Sequence, residues 1–205
     1  MIQDTPKRTE TCMAGHSASE VFFPVPSHIS IGINWEASTS SSSSKVDLDL
    51  YAIALDGNNE LFSLDYFIHP RHSASNRSIV HGGDNSTGTD TAGLDDEAIE
   101  LRLDLIDPRV AKVVFPVNIY GASRRGQNLR NIGNVYLRIM DMGDDTGIQV
   151  AKRSLVDHAE LTDTAMVAGE LAREKEKGGE DRWHFRILFT GYPSFGAALT
   201  EFGVI

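Results

Sequence analysis

The chain of 205 residues carries a single cysteine, Cys12, so no intramolecular disulfide can form. The fold must rest on its core, and a reducing compartment is expected. No run approaches the roughly 18 apolar residues that cross a bilayer. The first twenty residues, MIQDTPKRTETCMAGHSASE, lack the apolar segment of a secretory signal. A cytoplasmic protein without a transmembrane segment is the expectation. Basic residues are also short: 19 Lys and Arg face 29 Asp and Glu, a net charge of −10. Such a surface has no general attraction for a phosphate backbone, which argues against nucleic acid as a partner. There is no Gly-x-Ser-x-Gly, no phosphate-binding loop and no Gly-x-Gly-x-x-Gly after a strand. Nucleophilic hydrolysis and nucleotide binding therefore lack support, and no enzyme is expected.

What is present reads as an all-β domain. The apolar fraction is 40% and the charged fraction 23%, as in ordinary globular proteins. Residues 1–27 are polar and aperiodic and read as an N-terminal arm, disordered or docked on a partner. From residue 28 the pattern alternates, with Ile29, Ile31 and Ile33 on one face. Val46–Leu55 reads as a second strand, Asp56-Gly57 as a hairpin turn and Leu61–Ile68 as a third strand. Residues 69–97 show no strand pattern, and an irregular stretch of that length is usually functional. Ile99, Leu101 and Leu103 alternate again, and Val110–Tyr120 is a long apolar strand whose Pro116 requires an edge or a bulge. Asn134–Asp141 and Ile148–Arg153 flank a turn. Asp163–Arg173 fits a strand or a helix, Arg182–Thr190 alternates, and Phe195–Phe202 fits a short C-terminal helix. About nine short strands with long acidic loops predict a β-sandwich over residues 28–205, with Trp35 and Trp183 in its core.

One stretch carries chemistry. Between Asp84 and Asp104 stand seven acids and one base, Arg102. Brought together dry they would repel one another, so the loop either stays splayed in water or folds around a cation. Calcium suits it, since it takes six to eight hard oxygen ligands at about 2.3–2.6 Å in forgiving geometry. Asp84, Asn85, Asp95, Asp96 and Glu97 offer carboxylate and amide oxygens, and Thr87 or Thr89 a carbonyl or hydroxyl. Asp47 and Asp49, two apart on a strand, point the same way and make a floor for the same ion. The competing reading is a solvent-facing acidic surface. The spacing is not that of an EF-hand, because Thr89 stands where the loop glycine belongs and Asp95 where a Glu belongs. His69, His72 and His81 suggest either zinc ligands or ordinary loop histidines. Arg124, Arg125 and Arg130, with Lys112, form a basic patch that either meets an anion or balances the acidic loop.

Asp47-Leu-Asp49, then Gly83-Asp-Asn-Ser-Thr-Gly88, then Asp95-Asp-Glu97 resemble the TerD family of tellurium-resistance and stress-response proteins. Ser123-Arg-Arg-Gly-Gln-Asn128 with Val135 and Arg138 is similar to a downstream family segment. Ser154-Leu, Thr164-Ala-Met166, Gly169-Glu-Leu171, Trp183-His-Phe185 and Gly191-Tyr192 follow in family order, so the resemblance spans about residues 29–205. It implies a β-sandwich binding one or two calcium ions in loops at one end. It also implies ligand roles for Asp47, Asp49, Asp84, Asn85, Asp95, Asp96 and Glu97. It implies a non-enzymatic component of a stress-response or defence system, of the tellurite or phage resistance type. Protein partners and a calcium-dependent contact with a membrane surface go with that reading. Departures mark a divergent member. Gly88–Leu94 replaces a shorter, more glycine-rich family segment, His69-Pro-Arg-His72 replaces Tyr-Asn-Asn, and the 1–27 arm and Ser38–Ser44 are atypical. They favour an alternative: a structural subunit of a larger assembly, such as a phage or virion component, tethered by the arm.

Overall fold

The computed structural model describes residues 22–37, 46–86, 95–143, 147–154, 162–176, 178–179 and 181–205. Residues 1–21, the serine run 38–45 and the loop 87–94 lie outside the described residues, and with them most of the arm and Thr87 and Thr89.

Twelve strands are present among the described residues rather than about nine. They are β1 (Phe22–Pro24), β2 (His28–Ala37), β3 (Leu48–Leu50), β4 (Ala52–Leu55), β5 (Phe67–Ile68) and β6 (Ile79–His81). There follow β7 (Glu97–Arg102), β8 (Lys112–Ile119), β9 (Ile132–Asp141), β10 (Ile148–Ser154), β11 (Ala165–Lys175) and β12 (Asp181–Tyr192). One sheet has seven strands in the order β1-β12-β11-β8-β4-β5, with β3 also paired to β8; the other has five in the order β10-β9-β2-β7-β6. Every pairing is antiparallel. Within the stretch read as an arm, Phe22–Pro24 pairs with β12 as an edge strand.

The alternation read from the sequence decides what is buried. Ile29, Ile31, Ile33 and Trp35 of β2 lie in the core with Val113, Phe115 and Val117 of β8 and Phe185 of β12. Trp183 is buried there too. A second, smaller core sits on the outer face of the seven-stranded sheet. There Ile53, Leu55, Val114 and Val167 are covered by Leu199 and Phe202 from the C-terminal helix α1 (Phe195–Glu201) and its end. Ser194 caps that helix, its Oγ accepting the Ala197 N–H at 3.1 Å.

Where the observed elements differ from or refine the expected ones, the reasons are physical. Pro116 lies in an interior strand, not an edge. Its missing N–H falls opposite Tyr51, whose own N–H donates to the Pro116 carbonyl at 2.9 Å, and there the expected Val46–Leu55 strand divides into β3 and β4. On the other side β11 bulges between Val167 and Gly169, so the bulge expectation holds. Asp163–Arg173 resolves as strand β11. Its small residues are buried between two neighbouring strands, and a Cβ on Gly169 would overlap the Phe185 ring. Finally, the stretch 69–97 does contain a strand. β6 escapes a reading of periodicity because three residues are too few to show a period. Leu61–Ile68 contributes only an isolated bridge at Leu61, a 3-10 turn and the two residues of β5.

Candidate metal centre

The acids gather where β3 of one sheet meets the end of β6 and the start of β7 of the other. Asp47 and Asp49 flank Leu48 and point the same way, as a strand requires. β8 fixes both: Tyr120 N–H donates to the Asp47 carbonyl at 2.8 Å, and Asp49 pairs with Asn118. Asp84 arrives from the segment after β6. Asp47, Asp49 and Asp84 each offer a carboxylate oxygen within 4.8 Å of the other two. That is the span of two opposed ligands about 2.4 Å from a shared calcium ion.

Asp47 is 8% exposed and Asp49 7%, whereas Asp84 is exposed. Asp47 Oδ1 is shielded from solvent and has no hydrogen-bond partner among the described residues. An unpaired buried carboxylate oxygen is costly. Asp49 Oδ2 accepts one bond, from Tyr51 Oη at 3.2 Å. Burial pushes the Asp49 carboxyl up to about 6, and the negative charges of Glu97, Asp47 and Asp84 push the same way. Burial, then the Asp84 charge, also raises Asp47, while the Arg125 charge pulls it down. Tyr51 is raised chiefly by burial, then by its carboxylate neighbour.

Behind these three stands a frame of committed groups. Glu97, 2% exposed, accepts the Leu50 N–H at 2.7 Å on Oε2 and the Asn85 N–H at 3.4 Å on Oε1, tying β7 to β3 across the sandwich. Asp96 accepts the Trp35 N–H at 3.0 Å on Oδ2 and the Asn85 amide at 3.0 Å on Oδ1. Asn85 is thereby held from two sides, which places Asp84 beside it. His81 is not a surface loop histidine. It is buried on β6, its Nδ1 accepts the Gly83 N–H at 3.0 Å, and its Nε2 lies 3.0 Å from the Leu50 carbonyl and 3.6 Å from Glu97. An accepting Nδ1 leaves the proton on Nε2, so His81 is a neutral spacer between β3 and β6 rather than a zinc ligand. Its neighbours His69 and His72 face each other in a two-residue bridge with ring centroids 5.8 Å apart. Among the described residues, the carboxylates are the group placed to share an ion. Their hard oxygens suit calcium chemistry.

Of the seven sequence-predicted ligands, three converge, three build the frame and one points away. Asp95 lies over the outer face of the five-stranded sheet, its Oδ1 bound by Arg138 Nε at 2.8 Å. It fits there because Gly32 beneath has no side chain; a Cβ would overlap the carboxylate. Gly32→Ala should therefore expel Asp95 and break its ion pair, lowering stability by about 1–3 kcal/mol. Urea denaturation would show this as a lower midpoint with an unchanged slope. Tyr51 and His81 are parts of the site that spacing does not reveal; the sequence signal for Tyr51 is only its place after the Asp47–Asp49 pair. The basic residues are divided: the Arg125 charge acts on Asp47, but Lys112, at the far end of β8, binds Glu170 at 3.3 Å.

Comparison with known proteins places this geometry in a family. The TerD domain model matches residues 23–201. The chain is 31% identical over 183 residues to the tellurium resistance protein TerD of Serratia marcescens, covering 88% of this chain and 90% of that protein. It is 28% identical over the same length to general stress protein 16U of Bacillus subtilis, again covering 88% and 90%. The crystal structure of a homologue of telluride resistance protein (TerD) from Streptomyces coelicolor superposes with a TM-score of 0.65 at 15% identity, over 84% of this chain and 94% of that one, a likeness of fold. These relatives are named for resistance and stress rather than for a reaction. By the extent of the family match and the two-sheet fold, the chain belongs to the TerD family.

Proposed function

We propose that this protein is a calcium-binding, non-enzymatic component of a stress-response or defence system of the tellurite or phage resistance type. It works in the cytoplasm with protein partners. The relatives support the stress-resistance part. One observation carries the calcium part: Asp47 Oδ1, buried and without a hydrogen-bond partner among the described residues, belongs to a carboxylate grouped with Asp49 and Asp84. A bound cation would satisfy this acceptor among acceptors. Asp47, Asp49 and Asp84 are the proposed direct ligands, with Asn85, Asp96 and Glu97 holding them in place. Asp95 serves as a lock on the outer sheet. Bound calcium would supply charge neutralisation at this meeting point of the two sheets, stabilising the folded state by mass action. Among the described residues no helix is long and apolar enough to cross a membrane. The resemblance to resistance and stress proteins favours this reading over a subunit of a phage or virion assembly.

Calorimetric titration of calcium into chelator-stripped protein tests it. Saturable binding is expected in the wild type and in Asp95→Asn, and no binding in Asp84→Asn combined with Asp49→Asn. A flat trace for the wild type at millimolar calcium would refute the reading.

The calcium-free protein has a distinctive pH dependence. Asp49 has a folded pKa of about 6 against an ordinary 3.8. The folded state therefore holds the proton more tightly than the unfolded chain, and the Asp49 contribution to stability is fully present below pH 4. It is lost as pH rises through 6, by about 3 kcal/mol for a shift of this size. The chelated protein should melt roughly 5–10 °C lower at pH 7.5 than at pH 4. Calcium should remove most of that difference, and a chelated melting temperature rising toward neutral pH would contradict the assignment.

A further inference from the structure

Beside the acids runs a groove of about 530 Å³, lined by Asn118, Tyr120, Ser123, Arg124, Thr164 and Phe195 among others. It adjoins the metal centre, since Asn118 pairs with Asp49 and Tyr120 N–H holds the Asp47 carbonyl. Its wall includes Ala122, Ser123 and Arg124 of the short helical turn Ala122–Arg125, which is flanked by glycines in the left-handed region, Gly121 at φ 66° and Gly126 at φ 62°. Both arginines fold back over Gly121. Arg124 Nη2 lies 3.4 Å and Arg125 Nε 3.7 Å from the place a Cβ on that glycine would take, so the two guanidinium groups come within about 7 Å of each other.

Neither guanidinium group makes an ion pair among the described residues. Arg125 also stacks on the ring of Tyr120, 5.9 Å to the centroid, and that tyrosine is 52% exposed. Two neighbouring guanidinium groups without an ion pair among the described residues, one of them over an aromatic ring and with Ser123 on the same turn, form an oxyanion receptor. The three carboxylates next door would repel an anion; a bound cation offsets most of that charge. The geometry points to a phosphate-group subsite on Arg124 and Arg125, opened by calcium at Asp47, Asp49 and Asp84. This rests on the calcium reading and adds the ligand that the loaded site receives. A phosphate monoester suits it, and that chemistry comes either from a soluble metabolite or from a lipid headgroup.

Glycerol 3-phosphate is titrated into full-length protein with and without calcium, alongside Arg124→Gln combined with Arg125→Gln and the matching Lys pair. Vesicles of phosphatidylcholine with and without phosphatidic acid form the second arm. Binding by the calcium-loaded wild type should weaken about tenfold or more in the Gln pair and less in the Lys pair, which keeps charge but loses the fork. Calcium binding of the Gln pair, measured separately, should stay intact and shows that it folds. Glycerol 3-phosphate binding identifies a soluble source, and binding of phosphatidic acid vesicles alone identifies a lipid source; either upholds the subsite. No phosphate binding by calcium-loaded wild type, or equal binding by the Gln pair, overturns it. If calcium itself gives no heat, the calcium reading fails separately. Glycerol 3-phosphate binding to calcium-free protein that is lost in the Gln pair then upholds the arginine subsite, and its absence overturns it.

Discussion

Asp49→Asn is expected to abolish calcium binding and, in the same molecule, to raise the stability of the calcium-free protein. The substitution is nearly isosteric. Its amide oxygen still accepts from Tyr51 Oη, which lies 3.2 Å from the present carboxylate. What it removes is a buried charge facing Glu97, Asp47 and Asp84; the loss of solvent and their combined field push the carboxyl up to about 6. At neutral pH the wild type must keep that charge or take up a proton, and both cost free energy without a cation. The melting temperature in chelator should rise by roughly 2–5 °C. The calcium-induced rise, worth about 2.7 kcal/mol when calcium stands at one hundred times its dissociation constant, should disappear. Scanning calorimetry of both proteins with and without calcium decides it. A variant less stable than wild type in chelator would mean that the carboxylate is satisfied by something other than a metal.

Glu97→Ala should instead lower the stability of the calcium-free protein, although it too removes a buried acid beside the same site. Both Glu97 oxygens are engaged, at 2.7 Å by the Leu50 N–H and 3.4 Å by the Asn85 N–H. Truncation strands the buried Leu50 donor and opens a cavity between the sheets. Each unsatisfied donor costs about 1–3 kcal/mol, so a loss of about 3–5 kcal/mol is expected. Calcium affinity should fall as well, because Asn85 loses one of its two anchors and Asp84 is positioned through it. Glu97→Gln keeps an acceptor for Leu50 and should recover much of the stability. Chemical denaturation of the three proteins in chelator measures this, and an Ala variant within about 1 kcal/mol of wild type would contradict the frame role. Burial raises both carboxyls, but Glu97 is held by two backbone N–H groups whereas Asp49 accepts one hydroxyl. Asp49 burdens the empty fold and Glu97 holds it.

Much of the fold is legible in the order of the residues. The alternation of Ile29, Ile31 and Ile33 places β2, and those three side chains are fully buried. The hairpin from β9 to β10 follows from two apolar runs around a turn-rich segment. The resemblance in the acidic motifs indicates the family that the comparison shows. The short elements are not legible. β6 has three residues and β5 two, and the division of β3 from β4 depends on Pro116, distant in the chain from Tyr51, standing opposite it.

By itself the sequence determined the class of fold and the supply of acids. Hydrophobic period is a local property, and a run of Asp and Glu is visible wherever it stands. Which acids meet is not local. Asp95, Asp96 and Glu97 are consecutive, but only Glu97 belongs to β7, and the bend at Asp96 just before the strand sends their side chains three ways. One lies outside on Arg138, the next caps the backbone of Trp35, and the third turns into the sandwich to hold Leu50. Three adjacent acids therefore do not converge on one ion, whereas Asp47 and Asp49, two apart, do point together. Their third partner, Asp84, comes from the opposite sheet, brought there only because β3 packs against β6 and β7.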